Sequence, residues 1–140
     1  MPSTSYRDLI ISIQAAFKTG FLAAQKALEY QRLKTYWEIG RRINFSVASS
    51  DGTLFLSEKL YQDISRDIET QMQLNLTPDT IGQMVQFYKN YPQFPKNTPL
   101  TFTHYLALQR IPSSAKRRQF EQKAIKEDWS TPDTKLAIAQ

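Results

Sequence analysis

The sequence predicts an all-α fold, a single domain over residues 1–140 with five to six helices. It is expected to have a long N-terminal helical region and a helix-turn-helix-like centre. Three observations carry this. Only four glycines occur in 140 residues, and no proline lies between Pro2 and Pro78, so helix breakers are scarce over long stretches. Apolar residues recur at steps of three and four, the period of a helix face. Finally, Thr77-Pro78-Asp79 places a capping hydroxyl, a residue with no amide hydrogen to leave unpaired, and an acid at one helix start.

The elements follow in chain order. Leu9, Ile13, Phe17, Phe21, Ala24 and Leu28 form one apolar stripe. Leu33, Tyr36, Trp37, Gly40 and Ile43 extend it to the turn signal Ser49-Ser50-Asp51-Gly52. Residues 4–48 are therefore helical, either as one helix or as two broken around Gly20 or Tyr30. A helix of this length is marginal on its own in water. It needs partners along its length, which predicts self-association, a dimer formed through the N-terminal helix. Leu56, Leu60, Ile64, Ile68 and Met72, four apart, give a second helix that Gln73-Leu74-Asn75-Leu76 breaks. Thr77-Pro78 opens a third, with Ile81, Met84, Val85, Tyr88 and Tyr91 as its apolar face. Together residues 54–91 have a helix-turn-helix layout.

Pro92, Pro95 and Pro99 mark an irregular connection. A short helix around Phe102, Tyr105, Leu106 and Leu108 is stopped by Pro112. Ser113 or Ser114 opens a basic helix with Phe120, Ala124 and Ile125 inside and Trp129 closing it. Ser130-Thr131-Pro132-Asp133 reads as a capping box that starts a last helix. Residues 101–140 form a basic C-terminal segment.

Composition excludes much chemistry. With no cysteine and one histidine, there is no disulfide framework, thiolate metal site or Cys nucleophile, and a His-based triad is a poor prospect. No cofactor and no metal are expected. The start, Met1-Pro2-Ser3-Thr4-Ser5-Tyr6-Arg7-Asp8, has no leader-like apolar run, and no window is apolar enough to span a membrane. A soluble cytoplasmic protein without membrane partners is expected. The net charge of +5 is laid out as +4 over residues 1–48, −3 over 49–91 and +4 over 92–140. That suits a polyanion-binding surface or complementarity between segments or subunits.

Several constellations imitate catalytic sites. Glu121-Gln122-Lys123 matches the E-x-K of PD-(D/E)xK nucleases, with Asp79 as a possible upstream acid. That chemistry needs both side chains together on a strand, whereas i and i+2 on a helix diverge by about 200°. These residues read as solvated helix charges. Asp63 and Asp67 read as a polar outer face rather than a cation site, and His104 as a packing or helix-start residue. Trp37 and Trp129 read as core anchors. The best electrostatic candidates for phosphate are Lys116, Arg117, Arg118, Lys123 and Lys126, with Arg41 and Arg42 as secondary ones. Gln83, Gln86, Lys89 and Asn90 on the third helix are the candidates for base reading, since Gln and Asn match the donor–acceptor pair of adenine.

Tyr36-Trp37-Glu38-Ile39-Gly40-Arg41-Arg42-Ile43 resembles the YWEIG motif of the N-terminal domain of the YhcG-like family. Leu56 to Ile68 is similar to that family's helix ahead of its turn. Met84-Val85-Gln86-Phe87-Tyr88 with Tyr91-Pro92 is similar to its MRxFY and YP segment. His104-Tyr105-Leu106, Arg118-Gln119-Phe120 and Trp129-Ser130 fall in the order of its HYL, RxFY and WS positions. The resemblance spans nearly the whole chain. It implies a helical domain of helix-turn-helix or winged-helix character that precedes a PD-(D/E)xK nuclease domain and binds DNA or assembles the nuclease. Departures stand at Asp79, Val85 and Pro132, where the family tends to have Arg, and at Gln73-Leu74-Asn75-Leu76, which replaces a glycine-bearing turn. The expected nuclease domain is not within these 140 residues.

Two functions follow as expectations. The first is a non-catalytic nucleic-acid-binding accessory module of a nuclease. The second is an oligomerisation or docking module that assembles the nuclease without touching DNA.

Overall fold

The structure is a computed structural model that describes residues 4–140, with side chains from Tyr6 onward. Met1-Pro2-Ser3, part of the stretch compared with a leader, lie outside the described residues. Six helices follow one another: α1 (Thr4–Ala48), α2 (Glu58–Met72), α3 (Pro78–Asn90), α4 (Phe102–Leu108), α5 (Ser114–Lys126) and α6 (Thr131–Ala139). Among the described residues there is no strand. The centre is therefore a helix pair, and the wing of a winged helix is missing from it.

Local chemistry sets the boundaries. Ser57, Thr77, Ser113 and Ser130 each accept a backbone N–H at the start of α2, α3, α5 and α6, which satisfies donors that the helix itself leaves free. α6 has the full capping box, with Asp133 accepting the Ser130 N–H at 3.1 Å. α2 stops where Gln73 turns left-handed at φ 58° and returns its N–H to Glu69. Leu56, the first residue of the predicted second stripe, precedes the Ser57 cap and lies outside the helix.

α1 is one unbroken helix of 45 residues, and it serves two purposes. Residues 6–28 are exposed, whereas the part from Glu29 onward packs on the rest of the chain. There Leu33 is fully buried and Gly40 meets α3. A Cβ on Gly40 would fall on the Met84 carbonyl, 2.7 Å from its carbon and 3.2 Å from the Val85 nitrogen. Only glycine lets the two backbones approach this closely.

α3 and α4 form the middle of the core. Ile81, Met84, Val85 and Phe87 are buried on α3; Phe102, Tyr105, Ala107 and Leu108 on α4. At about 1.5–3 kcal/mol for each large side chain removed from water, this cluster supplies most of the cohesion. Aromatic edges lock it, with Tyr36 against Phe102 at 4.8 Å and Phe87 and Tyr91 each 5.1 Å from Tyr105. Trp37 packs on Tyr88 and Phe94, and its Nε1–H donates to the Tyr91 carbonyl at 2.7 Å, tying α1 to the end of α3. Trp37 and Trp129 lie half-buried at the edge of the core. Of the residues expected inside α5, Ala124 is buried and Phe120 half-buried, but Ile125 is exposed.

Candidate nucleic-acid interface

α3 buries one face and presents the other. Gln83, Gln86 and Asn90 follow at i, i+3 and i+7, so they share a side of the helix roughly opposite Ile81, Met84 and Val85. Gln86 is exposed and donates from Nε2 to Asn90 Oδ1 at 3.1 Å, which sets the orientation of both amides. Gln83 is half-buried, and its backbone carbonyl accepts from Gln109 Nε2 at 3.4 Å. Lys89 is exposed on the flank of this row.

Cations stand at both ends of the row. Gln83 shares a cleft of about 410 Å³ with Arg110 and Lys135. Asn90 shares another, of about 350 Å³, with Arg118 and Ser114. Glu121 also lines the second cleft, but its carboxylate accepts the Tyr105 hydroxyl at 2.9 Å. Among the described residues no carboxylate is within ion-pair reach of Lys89, Arg110, Arg118 or Lys135. Arg110 and Lys135 escaped the sequence reading because each is a single charge far from the others in the chain. Only the packing of α4 and α6 brings them to α3.

The remaining sequence candidates divide. Arg117 is a correction: it is buried, with Nη2 donating to the carbonyls of Ile111 at 2.8 Å and Pro112 at 3.4 Å. It holds the 111–113 turn against α5 and is not free for a phosphate. Lys116, Lys123 and Lys126 are exposed, but the helical period turns Lys123 about 140° away from Arg118. Lys123 lies 5.9 Å over the Phe120 ring. Arg41 and Arg42 both bind the Glu38 carboxylate, Arg41 Nε at 3.1 Å and Arg42 Nε at 3.2 Å. Those bonds, Arg41's first, hold the Glu38 carboxyl below its ordinary range. Both arginines are thus already paired with Glu38.

The catalytic look-alikes resolve into structural roles. Asp63 pairs with Lys59 at 3.2 Å and with Arg66 at 3.3 Å, Lys59 contributing most to lowering its pKa. His104 Nδ1 accepts the Thr101 N–H at 3.0 Å, which leaves Nε2–H to donate to the Trp129 carbonyl at 2.8 Å. Glu121 and Lys123 lie on α5, and Asp79 in the first turn of α3. Among the described residues no group of His, Asp or Glu could hold a metal ion, and no helix is long and apolar enough to cross a membrane. A cleft of about 1160 Å³ lies between α1 and the proline-rich connection, with Tyr30, Trp37 and Phe94 among its lining residues.

The profile of the DUF1016 N-terminal domain family matches residues 12–140. The chain belongs to that family. No curated protein and no solved structure matches it. The motifs that carry the resemblance to the YhcG-like N-terminal domain meet in space in this DUF1016 N-terminal domain. Gly40 of the YWEIG stretch is where α1 crosses α3. Trp37 of the same stretch binds the Tyr91 carbonyl of the YP segment, and His104 of the HYL position binds the Trp129 carbonyl of the WS position. These motif residues join the helices of the domain to one another.

Proposed function

We propose that this DUF1016 N-terminal domain is a non-catalytic nucleic-acid-binding module that acts in the cytoplasm alongside a PD-(D/E)xK-type nuclease. One observation carries the reading: Arg110 and Lys135 flank one end of the Gln83–Gln86–Asn90 row, and Arg118 flanks the other. Cations at the ends of a helix bind phosphates and set its position, while amide side chains between them meet base edges. The nuclease partner comes from the family resemblance. A module that assembles the nuclease without touching DNA is the second reading, favoured by the exposed apolar side chains of residues 6–28.

Fluorescence anisotropy of a labelled random duplex at about 50 and 200 mM salt separates the two. The wild-type chain is expected to bind and to weaken steeply with salt. Arg110→Glu/Arg118→Glu/Lys135→Glu should weaken binding at least about tenfold and flatten the salt slope by about one unit per lost contact. Arg117 is left intact in this variant, because its loss would disturb the fold. No binding at the lower salt by a folded protein, or binding unchanged in the triple variant, overturns the reading and leaves assembly.

A further inference from the structure

The exposed half of α1 is too apolar to be a bare spacer. Tyr6 is 71% exposed, Phe17 58%, Phe21 68% and Leu28 57%, and Leu9, Ile10 and Ile13 are also exposed. These residues, with Ala16, Gly20, Ala24 and Ala27, fall on one arc of about 140°. Arg7, Gln14, Lys18 and Gln25 lie on one side of the arc, and Asp8, Ser12 and Lys26 on the other. Together the apolar side chains offer on the order of 700 Å² per copy, near the roughly 800 Å² per partner of a stable interface. Of these apolar residues Ala27 also lines a cleft with residues 97–101, and all of them are exposed in the single chain.

The order of large and small residues along the arc selects the occupant. In heptad positions, Ile10, Phe17 and Ala24 are one core set, and Ile13, Gly20 and Ala27 the other. We infer that a second copy of this chain covers the arc, with the two α1 arms antiparallel and centred between Lys18 and Thr19. In that register Ile10 faces the partner's Ala27, Ile13 the partner's Ala24 and Phe17 the partner's Gly20, and the two-fold axis repeats each layer. Every layer then joins one large and one small side chain, which is how facing positions fill space without voids. Gly20, with open space beside it in the single chain, is the seat for the phenyl ring. A parallel pair would instead set Ile on Ile and Phe on Phe at one end and leave Gly20, Ala24 and Ala27 facing their own copies across a gap. The antiparallel arrangement also holds the two globular parts at opposite ends of a rod about 34 Å long. This inference stands apart from the nucleic-acid reading, since the arm carries none of the cations of that surface.

The chain has no cysteine, so introduced thiols report the arrangement cleanly. Light scattering after gel filtration should give the mass of two copies. Phe17→Glu/Phe21→Glu, both exposed and outside the core, should give one copy with the same thermal unfolding of the globular part. Ile13→Cys and Ala24→Cys chains, mixed in a glutathione redox buffer, should form a mixed disulfide, while each alone forms none. A one-copy mass for the wild-type chain overturns the inference and leaves the arm to a different protein or a lipid surface. Disulfides formed by Ile13→Cys alone or Ala24→Cys alone overturn it in favour of a parallel pair. DNA binding retained by the Phe17→Glu/Phe21→Glu chain leaves the nucleic-acid reading standing whichever way the arms pair.

Discussion

Tyr105 shows how far a single side chain's surroundings govern its chemistry. Its ring is fully buried and its hydroxyl donates to Glu121 Oε2 at 2.9 Å, with the Thr98 hydroxyl 2.8 Å away. Burial first, and the Glu121 charge second, push the phenol well above its ordinary pKa. Burial acts in the same direction on Tyr91 and, more weakly, on Tyr61. A group whose folded pKa is raised holds its proton in the fold while the unfolded chain gives it up. The stability it contributes is therefore complete below about pH 10, the unfolded value, and is lost progressively as pH climbs from there toward the folded value. Urea unfolding from pH 8 to 11 should show this decline in the wild-type chain. Tyr105→Phe should start about 1–2 kcal/mol lower at pH 8, yet decline less steeply, by up to about 1.4 kcal/mol per pH unit. Equal slopes would mean that Tyr105 titrates alike in the folded and unfolded chains, so that the fold does not raise its pKa. Residue types alone conceal such differences. Lys116-Arg117-Arg118 reads as one basic run, but the 100° step of a helix aims the middle guanidinium at the Ile111 and Pro112 carbonyls. Arg41 and Arg42 likewise look free until Glu38, one helical turn back, is seen to bind both. A local pattern gives a side chain's direction; its partner across the fold has to be observed.

Helix boundaries were far more legible, because caps are local chemistry. The Thr77-Pro78-Asp79 start of α3 and the Ser130–Asp133 box of α6 are read directly from the chain and recur in the structure. α2 ends at the Gln73-Leu74-Asn75-Leu76 break legible in the sequence, but the left-handed turn of Gln73 is not signalled, since glycine or asparagine is the usual residue there. The stripe on α1 was legible as periodicity and unresolved as packing. Gly20 causes no break because the helix is continuous and nothing crowds it, whereas the glycine that matters is Gly40. That crossing supplies a sharp test of how α1 and α3 meet. An added methyl has no room against the Met84 carbonyl, and backbone on both sides leaves no flexible side chain to yield. Gly40→Ala should cost about 2–3 kcal/mol, read as a lower urea midpoint. Gly20→Ala, in open space, lowers no unfolding midpoint of the globular part. An unperturbed Gly40→Ala protein would mean that the helices do not approach this closely.

At the level of the whole molecule, the acidic and basic segments of the sequence meet at α3. α2 carries Glu58, Asp63, Asp67 and Glu69, with Asp63 and Asp67 held by Lys59 and Arg66, while Arg110, Arg118 and Lys135 gather around the polar row of α3. The chain also divides mechanically. The core binds α3 and α4 to the second half of α1, but residues 6–28 are exposed along their whole length. A helix with so little tertiary cover is marginal in water, so the arm should open locally without unfolding the rest. Amide hydrogen exchange followed by mass spectrometry tests this on the intact chain. At about 1 µM protein, amides of residues 6–28 should exchange at least about 100-fold faster than those of α3, because their opening costs only a fraction of the global stability. At about 100 µM the arm should gain protection while α3 stays unchanged, since association stabilises by mass action only the elements it covers. Arm and α3 amides equally protected at both concentrations would mean that the arm folds as one unit with the core, and the division of α1 into two mechanical halves would be wrong.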